Sequence, residues 1–221
     1  MTFAFVFPGQ GSQSVGMLSS VAERPEVRAT LQEASEALGE DLAKLISEGP
    51  AEALSLTTNT QPVMLTAGVA FYRAWLAAGG AAPKVMAGHS LGEYSALVAA
   101  GVISFKDAVP LVRFRAEAMQ SAVPVGTGGM AAILGLDDAK VIQICAEASA
   151  ASGSVVEAVN FNAPGQVVIA GASDAVTKAC ELLKAAGAKR ALPLPVSAPF
   201  HSSLLQPASE KLKTYLANIE F

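Results

Sequence analysis

The 221 residues suffice for one large domain, or for a core with a smaller unit attached. Apolar residues make up 52% and charged residues only 15%, which supplies a packed core and excludes extensive disorder. A formal charge of −4, from 15 basic and 19 acidic residues, gives no electrostatic basis for holding nucleic acid or an anionic membrane surface.

Phe3–Phe7 is a short apolar run stopped by Pro8-Gly9, and it reads as a first core strand. A core strand is expected there rather than a signal peptide, since the run is very short and has no basic leader. No apolar stretch reaches the roughly 20 residues of a membrane span, so a soluble protein is expected. Helical periodicity follows near Glu26–Ala37, Leu42–Ser47 and Gln61–Ala78, the last with Pro62 near its first turn and Gly79-Gly80 as its stop. Lys84–Ala87 reads as a second buried strand, ending in a Gly-containing turn before another helical pattern. Strand, turn and helix in repetition predict an α/β architecture with a mostly parallel sheet.

Beyond a helix near Asp107–Gln120 the rhythm changes. Met130–Leu134, Asp137–Ala151, Val155–Asn160, Gln166–Ala170, Ser173–Ala186 and Ala188–Leu192 read as strand, helix, strand, strand, helix and strand, with Ser173 capping its helix. That order is the ferredoxin-like βαββαβ unit. Pro/Gly-rich connections at Pro124–Gly129 and Pro193–Pro199 bracket it, as they would an inserted subdomain. The expected organisation is a core of residues 1–124 and 196–221 with a small subdomain at 125–195. A helix at Ser202–Ala217 and the start of a strand at Ile219–Phe221 complete the reading. Cys145 and Cys180 fall in helices without metal-type spacing, which argues against a metal site and a disulfide framework and for a reducing cytoplasm.

The chemistry concentrates at Gly88-His89-Ser90-Leu91-Gly92. This Gly-x-Ser-x-Gly pattern is that of a nucleophile elbow, a serine on a sharp strand-to-helix turn. Backbone N–H groups at the helix start are aimed at such a serine, as a tetrahedral acyl intermediate requires. A serine nucleophile needs a base. His89 is adjacent inside the turn and should point away, so elimination leaves His201 in the Pro-rich loop Val196–Ser202. Arg115 falls on the apolar face of its helix, with Ala108, Leu111, Val112, Ala118 and Met119. A guanidinium there needs an anion, either a structural carboxylate or the carboxylate of a substrate. Arg113 lies on the other side with Glu117 four residues on, a pattern of a solvated pair. Phe7–Gln13 lacks the lysine and the glycine spacing of a phosphate loop, and a tight Gly-Gln-Gly turn suits a second oxyanion donor better.

These motifs together resemble the malonyl-CoA:acyl-carrier-protein transacylases of type II fatty acid synthesis and the related acyltransferase domains of polyketide synthases. The resemblance rests on Phe7–Gln13, Gly88–Tyr94, the Arg115 helix, Asn160–Gln166 and Pro199-Phe200-His201, in the family's order along nearly the whole chain. It implies an α/β-hydrolase-like core with an inserted ferredoxin-like subdomain. It also implies a ping-pong acyl transfer from malonyl-CoA, through a malonyl-Ser90 activated by His201, to the phosphopantetheine thiol of acyl carrier protein. Gln10 and Leu91 would supply oxyanion N–H groups, Arg115 would grip the malonyl carboxylate, and Phe200 would crowd a methyl branch. Asn162 and Gln166 would line the substrate cleft. Lys189 and Arg190 would meet CoA phosphates or the acidic carrier protein, unless they are simply a solvated basic pair.

No permanently bound cofactor or metal is implied; the CoA thioester is a substrate. The expected protein is cytoplasmic and monomeric. Family members continue past the position of Phe221, and that tail carries a glutamine whose backbone carbonyl orients the histidine. The chain is therefore expected to be C-terminally incomplete, with no Asp or Glu taking that role. The competing readings are a serine esterase or thioesterase and an inactive carrier-protein-binding fragment.

Overall fold

Alternation in the first apolar run sets which side of the opening strand is covered. The computed structural model describes residues 2–196 and 198–221; Ser197, inside the expected histidine loop, lies outside the described residues. Strand β1 (Ala4–Phe7) turns Phe5 and Phe7 inward and leaves Val6 exposed. It pairs in parallel with β2 (Val85–Gly88), with Phe7 opposite Gly88. The ring of Phe5 meets Tyr72 edge-on at 5.6 Å between centroids, and Phe7 meets it at 6.4 Å. Parallel strands need a long crossover between them, and four helices supply it: α1 (Pro25–Leu38), α2 (Leu42–Glu48), α3 (Ala51–Leu54) and α4 (Thr57–Ala77). The side chains of α4 are buried around most of its circumference, which marks a helix inside the core. After β2 come α5 (Gly92–Ala99) and α6 (Phe105–Gln120).

The chain divides into two compact units, the residues up to Glu117 together with Thr214–Phe221, and Ala118–Lys213. In the second unit the elements run β3 (Gly128–Leu134), α7 (Asp138–Ser152), β4 (Val156–Ala163), β5 (Gln166–Ala172), α8 (Ser173–Ala185) and β6 (Arg190–Pro193). The strands lie in the order β4-β5-β3-β6, every neighbouring pair antiparallel. That is the ferredoxin-like arrangement read from the sequence. Ile133, Val167 and Ile169 from the sheet pack with Val141, Ile144, Cys145, Val176 and Leu183 from α7 and α8. The chain continues through a 3-10 turn at Ser203–Leu205 into α9 (Gln206–Leu216). The α/β class with a parallel core pair and a βαββαβ subdomain thus stands.

Several local expectations shift. Helix α4 begins at Thr57, four residues before the expected start, so Pro62 sits beyond the first turn. The polar run Thr57–Gln61 concealed this: Thr60 closes the turn by donating its hydroxyl to the carbonyls of Leu54 and Leu56. Ser173 is the first residue of α8 rather than its cap, and its hydroxyl donates to the Gly126 carbonyl. Helix α6 starts at Phe105, because Ser104 accepts the Asp107 N–H and bonds its carboxylate. Ile219–Phe221 forms no strand. Arg113 reaches Glu40, not Glu117, and makes an ion pair between α6 and the end of α1.

Candidate active site

Two glycines make the elbow possible. A Cβ on Gly88 would lie 1.9 Å from the Gly92 carbonyl carbon, and one on Gly92 would lie 2.1 Å from the Phe7 carbonyl oxygen. No side chain fits at either place, so β2 runs into α5 against the end of β1 with nothing between the backbones. Ser90 is held at φ 51°, a left-handed conformation that costs of order 1–3 kcal/mol for a residue with a side chain. The turn is closed by the Gly92 N–H on the His89 carbonyl and the Glu93 N–H on that of Ser90. Leu91, buried with helical dihedrals, caps α5, so its N–H belongs to the helix start. His89 turns toward Gly9: its Nδ1 is 3.2 Å from where a Gly9 Cβ would stand. The adjacent histidine therefore lies beside the β1 loop.

That loop packs on the elbow and carries Gln10. The Gln10 amide donates to the Thr57 hydroxyl at 3.1 Å, and the Gly11 N–H is taken by the Gln13 side chain at 2.8 Å. Thr57 opens α4, and Gln61, one turn later and fully buried, accepts from Arg115 Nη1 at 2.6 Å. Arg115 Nη2 donates to Ser90 Oγ at 3.2 Å, and the guanidinium lies 5.5 Å from the centre of the Tyr94 ring. Its side chain is 9% exposed. Burial lowers the Arg115 pKa from its ordinary value, opposed by the charges of Tyr94 and Glu93; arginine remains protonated all the same. Burial pushes the Tyr94 phenol up, and the Arg115 charge opposes it. Of the residues singled out in the sequence, the structure places Ser90, Arg115 and the Gln10 loop in one unit, linked through Thr57 and Gln61, to which the sequence reading gave no role. The available signal was a polar run, Thr57–Gln61, at the head of an otherwise apolar helix.

His201 belongs to the second unit. It too has positive φ, 68°. It is exposed, follows the buried Phe200, and borders a cleft of about 620 Å³ with Cys145, Val156, Glu157, Val159 and Phe161. Asn162 and Gln166 are exposed on either side of the Pro164-Gly165 turn joining β4 and β5. Gln166 pairs with Leu134, which pairs with Arg190, so these residues form one row across the sheet. Lys189 is beside them, its methylenes against Gly135. Pro199, two residues before His201, packs against Gly128 at the other end of β3. From Gly128 to Leu134 is about 20 Å of strand. Gln166, Lys189 and Arg190 thus gather at the sheet end away from Pro199. Among the described residues no group of three or more His, Cys, Asp or Glu side chains is placed to hold a metal ion, and no helix is long and apolar enough to cross a membrane.

The family model of the acyl transferase domain matches residues 4–221, and the chain belongs to that family. Within it, the chain belongs with the malonyl-CoA:acyl-carrier-protein transacylases. It is 62% identical over 220 residues to the malonyl CoA-acyl carrier protein transacylase of Escherichia coli K12, covering 99% of this chain and 71% of that protein. Identity to the Bacillus subtilis transacylase is 51% over 214 residues, 96% of this chain and 67% of the other. The crystal structure of an acyl-carrier-protein S-malonyltransferase from Burkholderia pseudomallei superposes with a TM-score of 0.97 at 71% identity, over the whole of this chain and 71% of that one. A malonyl-transacylase in complex with a type II PKS acyl-carrier protein matches at TM-score 0.97 and 55% identity, again over the whole of this chain and 71% of its own.

Proposed function

We propose that the chain transfers malonyl groups from malonyl-CoA to the phosphopantetheine thiol of acyl carrier protein through a malonyl ester on Ser90, as a step of fatty acid biosynthesis. The observation that carries this reading is the Arg115 guanidinium, buried, hydrogen-bonded to neutral groups and 3.2 Å from Ser90 Oγ. In a malonyl-serine the free carboxylate is three bonds from Oγ. A cation at that point grips this acyl group and has no carboxylate to grip in an acetyl ester.

Ser90 Oγ attacks the thioester carbonyl while His201 takes its proton. The Gln10 and Leu91 N–H groups hold the resulting oxyanion, removal of one such donor costing about 10²–10³ in rate. Collapse breaks the carbon–sulfur bond, and His201 returns the proton to the departing CoA thiol. The carrier's thiol then gives its proton to His201 and attacks the ester carbonyl, and His201 passes that proton to the departing Ser90 Oγ. Phe200 narrows the space beside the acyl methylene. Asn162 and Gln166 contact the substrate, and Lys189 and Arg190 meet CoA phosphates or an acidic carrier protein.

The proposed working form is a cytoplasmic monomer without a permanently bound cofactor. Its small subdomain lies within the second unit, at residues 125–195. The test is transfer to holo acyl carrier protein followed by carrier mass. Malonyl-carrier forming with malonyl-CoA, and not when Ser90→Ala replaces the protein, supports the reading; free malonate without malonyl-carrier would make it a hydrolase.

A further inference from the structure

A residue with a side chain does not rest in the left-handed region unless its surroundings hold it there. His201, at φ 68°, has such surroundings on both sides. Before it, Pro199 packs against Gly128, and the Pro199 carbonyl accepts both the hydroxyl of buried Ser202 at 2.8 Å and its N–H at 3.2 Å. After it, the Ser203 N–H donates to Glu157 Oε2 at 2.6 Å, 46 residues away on β4. This N–H is at the start of the 3-10 turn that leads into α9 and has no helical partner of its own. Glu157 and Ser203 border the same cleft as His201, and Cys145 is the other titratable side chain on its wall.

We propose that Glu157 is a positioning residue for His201. Its carboxylate ties the turn after the histidine to β4, and so fixes the backbone conformation from which the imidazole projects. The charged acceptor makes this bond one of the stronger kind, and a strand such as β4 is a more precise support than a loop. Sequence reasoning assigned no Asp or Glu to the histidine, because the link runs through the backbone of a neighbour and leaves no spacing to read. This inference rests on His201 being the base, and its test separates the two.

The imidazole Cε1–H signal of His201, assigned with His89→Gln, is compared in the otherwise unchanged chain, in Glu157→Gln and in Glu157→Ala. Glu157→Gln keeps an acceptor and should leave the signal as one sharp line. Glu157→Ala should broaden it or move it toward free imidazole, with the same thermal midpoint for both variants. An unmoved signal in Glu157→Ala overturns the proposal, whatever the activity. In parallel, Glu157→Ala should slow malonyl loading roughly 10-fold, a fraction of the 10²–10⁴ that a general base supplies, at unchanged KM. In a His201→Ala background it should slow loading no further; an equal slowing there also overturns the proposal. Loading by His201→Ala as fast as by the unmodified chain instead removes His201 from the mechanism.

Discussion

A guanidinium held on Gln61 and aimed at Ser90 does two things that a lone serine cannot. In the proposed reaction it would select an acyl group that carries a free carboxylate, and it would fix where that charge lies. Replacing Arg115 by Ala should therefore lower kcat/KM for malonyl-CoA by about 100-fold or more, the range for truncating one partner of a buried charge pair. Transfer from acetyl-CoA should persist; parallel rates with the two thioesters show this, and equal loss on both contradicts the clamp. Gln61 gives a second prediction at this scale. Gln61→Leu leaves Arg115 Nη1 buried without its acceptor, which should cost about 1–3 kcal/mol in urea unfolding. Gln61→Glu, which keeps an acceptor, should cost less. A loss of only a few tenths in Gln61→Leu would mean that the bond holds nothing in place.

At the scale of elements, the elbow is set by contacts between backbones. Gly92→Ala would drive a Cβ to 2.1 Å from the Phe7 carbonyl. It should therefore destabilise the fold by more than about 4 kcal/mol or prevent soluble expression. Gly129→Ala is the control: its nearest neighbour, Ser173 Oγ, is at an ordinary 3.7 Å, and its thermal midpoint should be nearly unchanged. The elbow was legible because it is local; five consecutive residues carry both the turn and its serine. The βαββαβ order was legible because each element has its own period and punctuation. The early start of α4 was not legible, since Thr57–Gln61 reads as loop until tertiary partners bury it. Arg113 misled for the same reason, choosing Glu40 across the fold over the i+4 Glu117 that helical spacing offers.

At the scale of the whole molecule, the sequence motifs identified the family but could not show what surrounds each side chain. Burial of Cys145 in the core of the second unit pushes its thiol up from 9.0 to about 12. Below pH 9 the folded and unfolded chains both keep that proton. Between about 9 and 12 only the unfolded chain loses it, so stability present below 9 should fall by about 1.4 kcal/mol per pH unit. The difference in slope between the parent chain and Cys145→Ala in urea titrations isolates this thiol, and identical slopes would contradict its burial. The chain spans 71% of the length of its Escherichia coli relative, so the central claim needs testing on this chain itself. The direct measurement is intact mass after brief exposure to malonyl-CoA. One malonyl group on the chain, absent in Ser90→Ala and lost on adding holo acyl carrier protein, is the predicted result. No adduct, or an adduct that survives Ser90→Ala, would contradict it.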